Sequence, residues 1–197
     1  MSAAGLDRRK VVAALLERRG ELLVVAGLGS SAWDCTAAGD HPLTFPLWGA
    51  MGSACTIGLG LALAQPKRRV LVVTGDGEML MGLGSLATIG AQRPGNLAVV
   101  VLDNERYGET GMQKTHTAYG IDLAAIALAC GFADSRVIRR SAEIAAVRSG
   151  IQRGRGPLFF QVKVSYESLP LVLPPRDGAH LKHRFREALL GEGSAAQ

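Results

Sequence analysis

Two short apolar runs, Val70 to Thr74 (VLVVT) and Leu97 to Leu102 (LAVVVL), leave this chain few architectures. Each has strand length, is rich in β-branched residues and lacks polar alternation, the pattern of a strand covered on both faces. Between them Met79, Leu80, Leu83, Leu86 and Ile89 recur at helical spacing, and Arg93-Pro94-Gly95 closes the helix. Strand, helix and strand over so short a span make a parallel βαβ unit.

The alternation extends in both directions. A basic amphipathic helix from about Arg8 to Arg19 precedes a strand at Leu22 to Ala26, and a Gly/Ser turn, Gly27 to Ser31, opens a short helix. A loop from Gly39 to Gly49 leads into a helix from Met51 to Gln65. Beyond the central unit come a helix from Asp122 to Ala129, a short strand at Arg136 to Ile138, a helix from Ser141 to about Arg153 and a strand at Leu158 to Val164. The expected fold is α/β: three layers, α/β/α, with a mostly parallel central sheet. Residues 1–170 form that domain, and 171–197 form a basic C-terminal tail or helix bearing His180, Lys182, His183, Arg184 and Arg186.

Composition narrows the function classes. The chain has 25 glycines against five Phe, two Trp and three Tyr, which suits tight turns and not a base-stacking surface. A formal charge of +5 admits an anionic ligand without calling for nucleic acid. Arg8, Arg9, Lys10, Arg18 and Arg19 read as a solvated helix face. Cys35, Cys55 and Cys130 are scattered with no paired spacing, as expected of reduced, buried thiols in a cytoplasmic protein. His41 to Pro66 carries no Asp, Glu, Lys or Arg, but Pro46, Gly49, Gly52, Gly58 and Gly60 point to a loop and a helix buried on all sides, not a membrane span. Met1 to Lys10 lacks the pattern of a secretory leader. His180 and His183 can share a helix face, but no other ligand type stands near them to make a metal site.

The chemistry gathers at the ends of the two central strands. Gly75-Asp76-Gly77 follows the first, where open parallel sheets bind ligands. The glycines allow close backbone approach, and a helix beginning at Glu78 offers free N–H groups to a phosphate. An aspartate there would repel a phosphate directly, so its use is to hold a divalent cation. The second strand delivers Asp103-Asn104-Glu105-Arg106-Tyr107-Gly108 to the same edge, one strand over. Asp76, Asn104 and a backbone carbonyl make a plausible oxygen shell for Mg²⁺.

Gly75-Asp76-Gly77 followed by Asp103-Asn104 resembles the GDG…NN motif of thiamine diphosphate-dependent enzymes, with Asp in place of the first Asn. The resemblance implies that the Asp76 and Asn104 side chains and the Arg106 carbonyl bind Mg²⁺. Backbone N–H groups of Gly77 and Glu78, and of the turn through Tyr107 and Gly108, would bind the diphosphate. Leu47-Trp48-Gly49-Ala50-Met51-Gly52 is similar to the GSMG segment of the decarboxylase branch. It implies that Met51 wedges the cofactor into a V and that the Gly49 carbonyl accepts from the 4′-amino group. Gly29-Ser30-Ser31 resembles a further turn that touches the cofactor.

Over about residues 22 to 165 the chain resembles the sulfopyruvate decarboxylase β subunit and the corresponding half of phosphonopyruvate decarboxylase, a likeness carried also by Leu83 to Ile89 (LGSLATI) and Leu102 to Gln113. That likeness implies a small 2-oxoacid substrate bearing a sulfonate or phosphonate group, with Arg106, Lys114 and His116 near enough in sequence to supply positive charge. The glutamate that activates the cofactor in this superfamily sits on a pyrimidine-binding domain, for which the 197 residues have no room. An α-type partner subunit of similar size is therefore expected, in a hetero-oligomer. A carboligase subunit of the acetolactate synthase kind, and a non-catalytic scaffold or regulatory protein that keeps the fold, are the alternative readings.

Overall fold

The computed structural model describes residues 5–194; positions 1–4 and 195–197, the ends of the expected domain and tail, lie outside them. The main sheet comprises β1 (Leu23–Ala26), β2 (Thr44–Pro46), β3 (Val70–Gly75), β4 (Leu97–Asp103), β7 (Asp134–Ile138) and β8 (Leu158–Lys163). A separate antiparallel hairpin is formed by β5 (Arg106–Tyr107) and β6 (Gln113–Lys114). The order in the sheet is β2-β1-β3-β4-β8-β7, and every pairing is parallel.

Period-2 alternation sends side chains of each strand into two separate cores. Ala98, Val100 and Leu102 of β4 pack with Leu71 and Val73 under α1 (Arg8–Leu16), α2 (Ser30–Ala37) and α7 (Ile144–Arg153). Leu97, Val99 and Val101 pack with Val70 and Val72 under α3 (Ala54–Ala64), α4 (Asp76–Met81), α5 (Ser85–Gln92) and α6 (Leu123–Ala129). The expected three-layer α/β/α architecture is thus the observed one. In the basic tail, α8 (Gly178–Leu190) closes the far edge of this second layer, with Phe185 edge-on to Phe45 at 5.6 Å.

Strand order explains where the site lies. From β1 the chain steps outward to β2, then returns to β3 on the other side of β1. That reversal opens a crevice beyond the carboxyl ends of β1 and β3. Register does the rest: Gly75 of β3 is opposite Leu102 of β4, so Asp76 stands level with Asp103, and Asn104 one residue further.

Several expectations are corrected. The single helix expected from Met79 onward is two, α4 and α5, broken at Gly82-Leu83-Gly84. A Cβ on Gly82 would fall 2.0 Å from the Gly52 carbonyl oxygen, so the break lets the Met51-Gly52 turn lie directly on the end of α4. The helix expected from Met51 starts at Ala54, because Ala50 and Gly52 take positive φ values of 58° and 89°. Nor is α3 buried on all sides: Thr56, Gly60, Leu63 and Ala64 are exposed, since the helix lies in an outer layer. The three-residue edge strand β2 and the β5–β6 hairpin were not anticipated. Cys35 and Cys55 are buried and Cys130 half-buried, all unpaired, and burial pushes the first two thiols up to about 12. Among the described residues no helix is long and apolar enough to cross a membrane.

The two glycines flanking Leu83 make opposite predictions. Gly82→Ala should cost about 1–3 kcal/mol through overpacking against Gly52. Gly84, helical in backbone angles and with nothing within 4 Å of an added Cβ, should tolerate or gain from alanine by about 0.4–1 kcal/mol. Urea unfolding of the two variants checks both signs.

Candidate functional site

Turns from four strand ends converge on one cavity of about 410 Å³. Ser30 and Ser31 reach it from the β1–α2 turn, Met51 from the turn before α3, and Asp76, Gly77 and Glu78 from the start of α4. Asn104, Arg106, Tyr107 and Gly108 arrive from the end of β4 and the hairpin. The cofactor and metal residues expected from the sequence all line this cavity except Gly49, which is exposed outside it. Gly77 is obligatory for packing: a Cβ there would meet the Tyr107 ring at 2.5 Å.

The floor is a buried network built on two carboxylates. Asp76 Oδ2 accepts from Thr115 Oγ1 at 2.5 Å, and Asp103 Oδ1 accepts from Thr117 Oγ1 at 2.8 Å and from the Glu105 N–H at 3.1 Å. Asp103 Oδ2 accepts from Gln161 Nε2 at 2.6 Å and Lys163 Nζ at 2.7 Å, and Lys163 also reaches Glu105 Oε1 at 2.7 Å. Burial pushes the Asp76 carboxyl up to about 6, with the neighbouring Asp103 charge adding and the two threonine hydroxyls opposing. Lys163 shows the balance from the other side. Burial pulls its ammonium down, but hydrogen bonds and charge attraction from Asp103 and Glu105 outweigh it, and its pKa is raised. Asn104 Oδ1 accepts from the Arg106 N–H at 2.9 Å, which fixes the turn that presents the Arg106 carbonyl.

Glu78 behaves differently from the expectation that it supplies only a backbone N–H. The helix begins at Asp76 instead, and the Glu78 side chain turns back under β1. Its Oε2 accepts from the Leu28 N–H at 3.1 Å and Thr74 Oγ1 at 2.8 Å. Burial raises its pKa; Thr74 and the backbone N–H groups of Leu28 and Gly52 oppose. Glu78 thereby joins three of the turns that form the cavity.

Other members of the wall were not visible in the sequence. Tyr166 to Leu169 and Leu171, after β8, cover one side of the cavity, and the Arg106 guanidinium lies 5.5 Å from the Tyr166 ring centre. Lys114 and His116, expected near the site, do not line it; Lys114 lies over Tyr119 instead. The reading of the first helix's cations as a solvated face is also corrected. Arg8 and Arg9 pair with the buried Asp34, and Arg19 binds Thr44 Oγ1 and the Leu22 and Leu43 carbonyls. Lys10 and Arg18 remain exposed.

An all-parallel sheet, with a Gly-Asp-Gly turn and a buried carboxylate opening onto a cavity at its switch point, defines a ligand-binding α/β domain of the doubly wound kind. Residues 29–162 match the family described as thiamine pyrophosphate enzyme, C-terminal TPP binding domain. The sulfopyruvate decarboxylase subunit beta of Methanothermobacter thermautotrophicus is 40% identical over 169 residues, 86% of this chain and 88% of that subunit. Phosphonopyruvate decarboxylase of Streptomyces hygroscopicus is 38% identical over 165 residues, which is 83% of this chain but 41% of that protein. Among solved structures, benzoylformate decarboxylase from Polynucleobacter necessarius superposes with a TM-score of 0.68 at 21% identity, covering 84% of this chain and 34% of that one. The chain belongs to the thiamine pyrophosphate enzymes and corresponds to their C-terminal TPP-binding domain.

The Asp that replaces the first Asn of the motif has its explanation in Lys163. Lys163→Met should destabilise the chain by about 3–5 kcal/mol, because it leaves the Asp103 charge buried and unpaired. Adding Asp103→Asn to that variant should restore part of the loss. A double-mutant cycle in denaturant measures the coupling.

Proposed function

We propose that this chain is the diphosphate-binding subunit of a thiamine diphosphate-dependent 2-oxoacid decarboxylase. Its substrate is a small 2-oxoacid with a sulfonate or phosphonate group, and a pyrimidine-binding α-type subunit of similar size completes the site in a cytoplasmic hetero-oligomer. The observation that carries this reading is the pair Asp76 and Asn104, set at adjacent strand ends on the wall of one cavity. Likeness to a decarboxylase β subunit over most of both chains, and to under half of a phosphonopyruvate decarboxylase, supports the division into two parts.

The residues present fit Mg²⁺ and a diphosphate. Asp76 spends Oδ2 on threonine hydroxyls, while its other oxygen takes no side-chain hydrogen bond among the described residues and remains for a hard cation. Asn104 Oδ1 and the Arg106 carbonyl are oxygen donors of the same kind. No group of three or more His, Cys, Asp or Glu among the described residues could hold a metal by itself, so the remaining ligands would be diphosphate oxygens and water. Thiamine diphosphate supplies, when bound, the electron sink that lets a 2-oxoacid lose CO₂. This chain's part is to hold and orient. The N–H groups of Gly77, Glu78 and the turn through Tyr107 and Gly108 would hold the diphosphate, with Ser30 and Ser31 contributing. Met51 and the Gly49 carbonyl, which lies outside the cavity of this chain alone, would set the aminopyrimidine. The catalytic glutamate belongs to the partner.

Asp76 gives the proposal a pH signature. Its folded-state pKa, about 6, lies above the ordinary 3.8, so the metal-free chain is more stable with this group protonated and loses that advantage as pH rises through about 4 to 6. A divalent cation needs the ionised form. Mg²⁺-dependent affinity for thiamine diphosphate should therefore be constant above about pH 7 and fall as pH drops through 6. Asp76→Asn should abolish the Mg²⁺ dependence. Calorimetric titration at several pH values checks both.

Activity is tested by reconstitution. The chain mixed with a pyrimidine-binding α-type subunit, thiamine diphosphate and Mg²⁺ should release CO₂ from sulfopyruvate or phosphonopyruvate, and neither subunit should do so alone. Turnover by this chain alone, or none of either substrate by the mixture, would overturn the proposal.

A further inference from the structure

One cation of the cavity wall is unaccounted for by that reading. Arg8 is only 8% exposed although it opens α1, and it lines the cavity beside Ser30 and Ser31. Its Nε donates to Asp34 Oδ2, and Arg9 Nε donates to Asp34 Oδ1 at 3.1 Å. One fully buried carboxylate thus faces two guanidinium groups, which leaves one positive charge uncompensated within the trio. Arg9 is otherwise engaged, its Nη2 donating to the Pro170 carbonyl at 2.9 Å. The two terminal nitrogens of Arg8 form no hydrogen bond among the described residues and are not sealed in protein, and the residue lines the cavity.

We propose that Arg8, clamped by Asp34, is an anion-recognition residue that binds a tetrahedral oxyanion (phosphate, phosphonate or sulfonate) together with the first turn of α2. A guanidinium left with unused donors in a largely dehydrated wall is costly unless an acceptor arrives, and planar donors of this kind suit oxyanions. The neighbouring helix start contributes in the same sense. Gly29 caps α2 without a side-chain acceptor, so the first N–H groups and the positive end of the helix dipole face the same space. A carboxylate already rests there: a Cβ on Gly29 would lie 2.9 Å from Glu109 Oε1. Glu109 sits on an exposed turn and makes no hydrogen bond among the described residues, so an incoming oxyanion can displace it.

The inference deepens the proposed function, because an oxyanion at this subsite comes either from the cofactor's diphosphate or from the distal group of the substrate. Calorimetric titrations of the chain with inorganic phosphate, with ethanesulfonate, and with thiamine diphosphate plus Mg²⁺ separate the two. Arg8→Gln should weaken binding about tenfold or more. Loss confined to phosphate and thiamine diphosphate assigns the subsite to the cofactor. Loss of ethanesulfonate binding in chain saturated with thiamine diphosphate assigns it to the substrate. Arg9 still pairs with Asp34 in this variant, which protects the fold. Should Arg8→Gln nevertheless fail to fold, Glu109→Gln serves, and it should tighten phosphate binding at least twofold by removing the competing charge. A folded Arg8→Gln variant that binds all three probes within twofold of wild type, or a Glu109→Gln variant with unchanged phosphate affinity, would overturn the proposal. Arg8-dependent phosphate binding in a wild-type chain that does not bind thiamine diphosphate would instead overturn the cofactor reading and leave the subsite standing.

Discussion

Two carboxylates at adjacent strand ends, Asp76 and Asp103, set the conditions for everything around the cavity. Burying both in one place is unfavourable, and the chain offsets it unequally. Asp103 receives a full shell: a hydroxyl, an N–H, an amide and the Lys163 ammonium. Asp76 receives only threonine hydroxyls from side chains, and its carboxyl sits far above its usual range. The unequal treatment separates a structural carboxylate from a poised one. Thr117 spans the two, so the residue that opens to the cavity is positioned by the one that does not.

The same network explains why distant segments must be in register. Gln161 takes the Ala124 N–H at 3.1 Å with its carbonyl oxygen and gives its amide hydrogen to Asp103, tying α6 to the strand end. Lys163, opposite Asp103 in the β4–β8 register, arrives on the last turn of β8 pairing. On the other flank Glu78 fastens β1's turn to α4, and the Gly52–Gly82 contact lays the Met51 turn on that helix. No cavity-forming turn is held only by its own backbone.

Local signals made the central part of this fold legible. Val70–Thr74 and Leu97–Leu102 announce themselves as buried strands, and the Gly-Asp-Gly turn falls at a strand end where Gly77 allows the close approach of Tyr107. Asp122 is a helix cap in sequence and in structure, accepting from the Ala125 N–H at 2.9 Å. What escaped notice depends on partners remote in sequence. Arg8 looks like one more cation on an exposed helix until Asp34 is placed beside it, and Lys163 looks like a strand-end charge until Asp103 is. The β2 strand escaped because three residues ending in Pro46 carry no periodicity, and α4–α5 merged because the pattern of Met79 to Ile89 passes over Gly82, whose reason is a tertiary contact with Gly52.

Polar and apolar groups play different parts in the cavity wall. The wall combines polar groups (Asp76, Asn104, Arg106 over Tyr166 and the Arg8–Asp34 clamp) with apolar ones such as Leu28, Trp33, Leu102 and Leu169. Among its apolar members Met51, Met112 and Leu171 stand exposed, at 39%, 40% and 60%. A large apolar side chain held out at the mouth of a pocket loses free energy in water and regains it under a ligand or a second surface. Polar groups must be positioned by a rigid shell built within one chain, whereas apolar contacts tolerate assembly from two. The exposed apolar side chains are those that the proposed second subunit would cover.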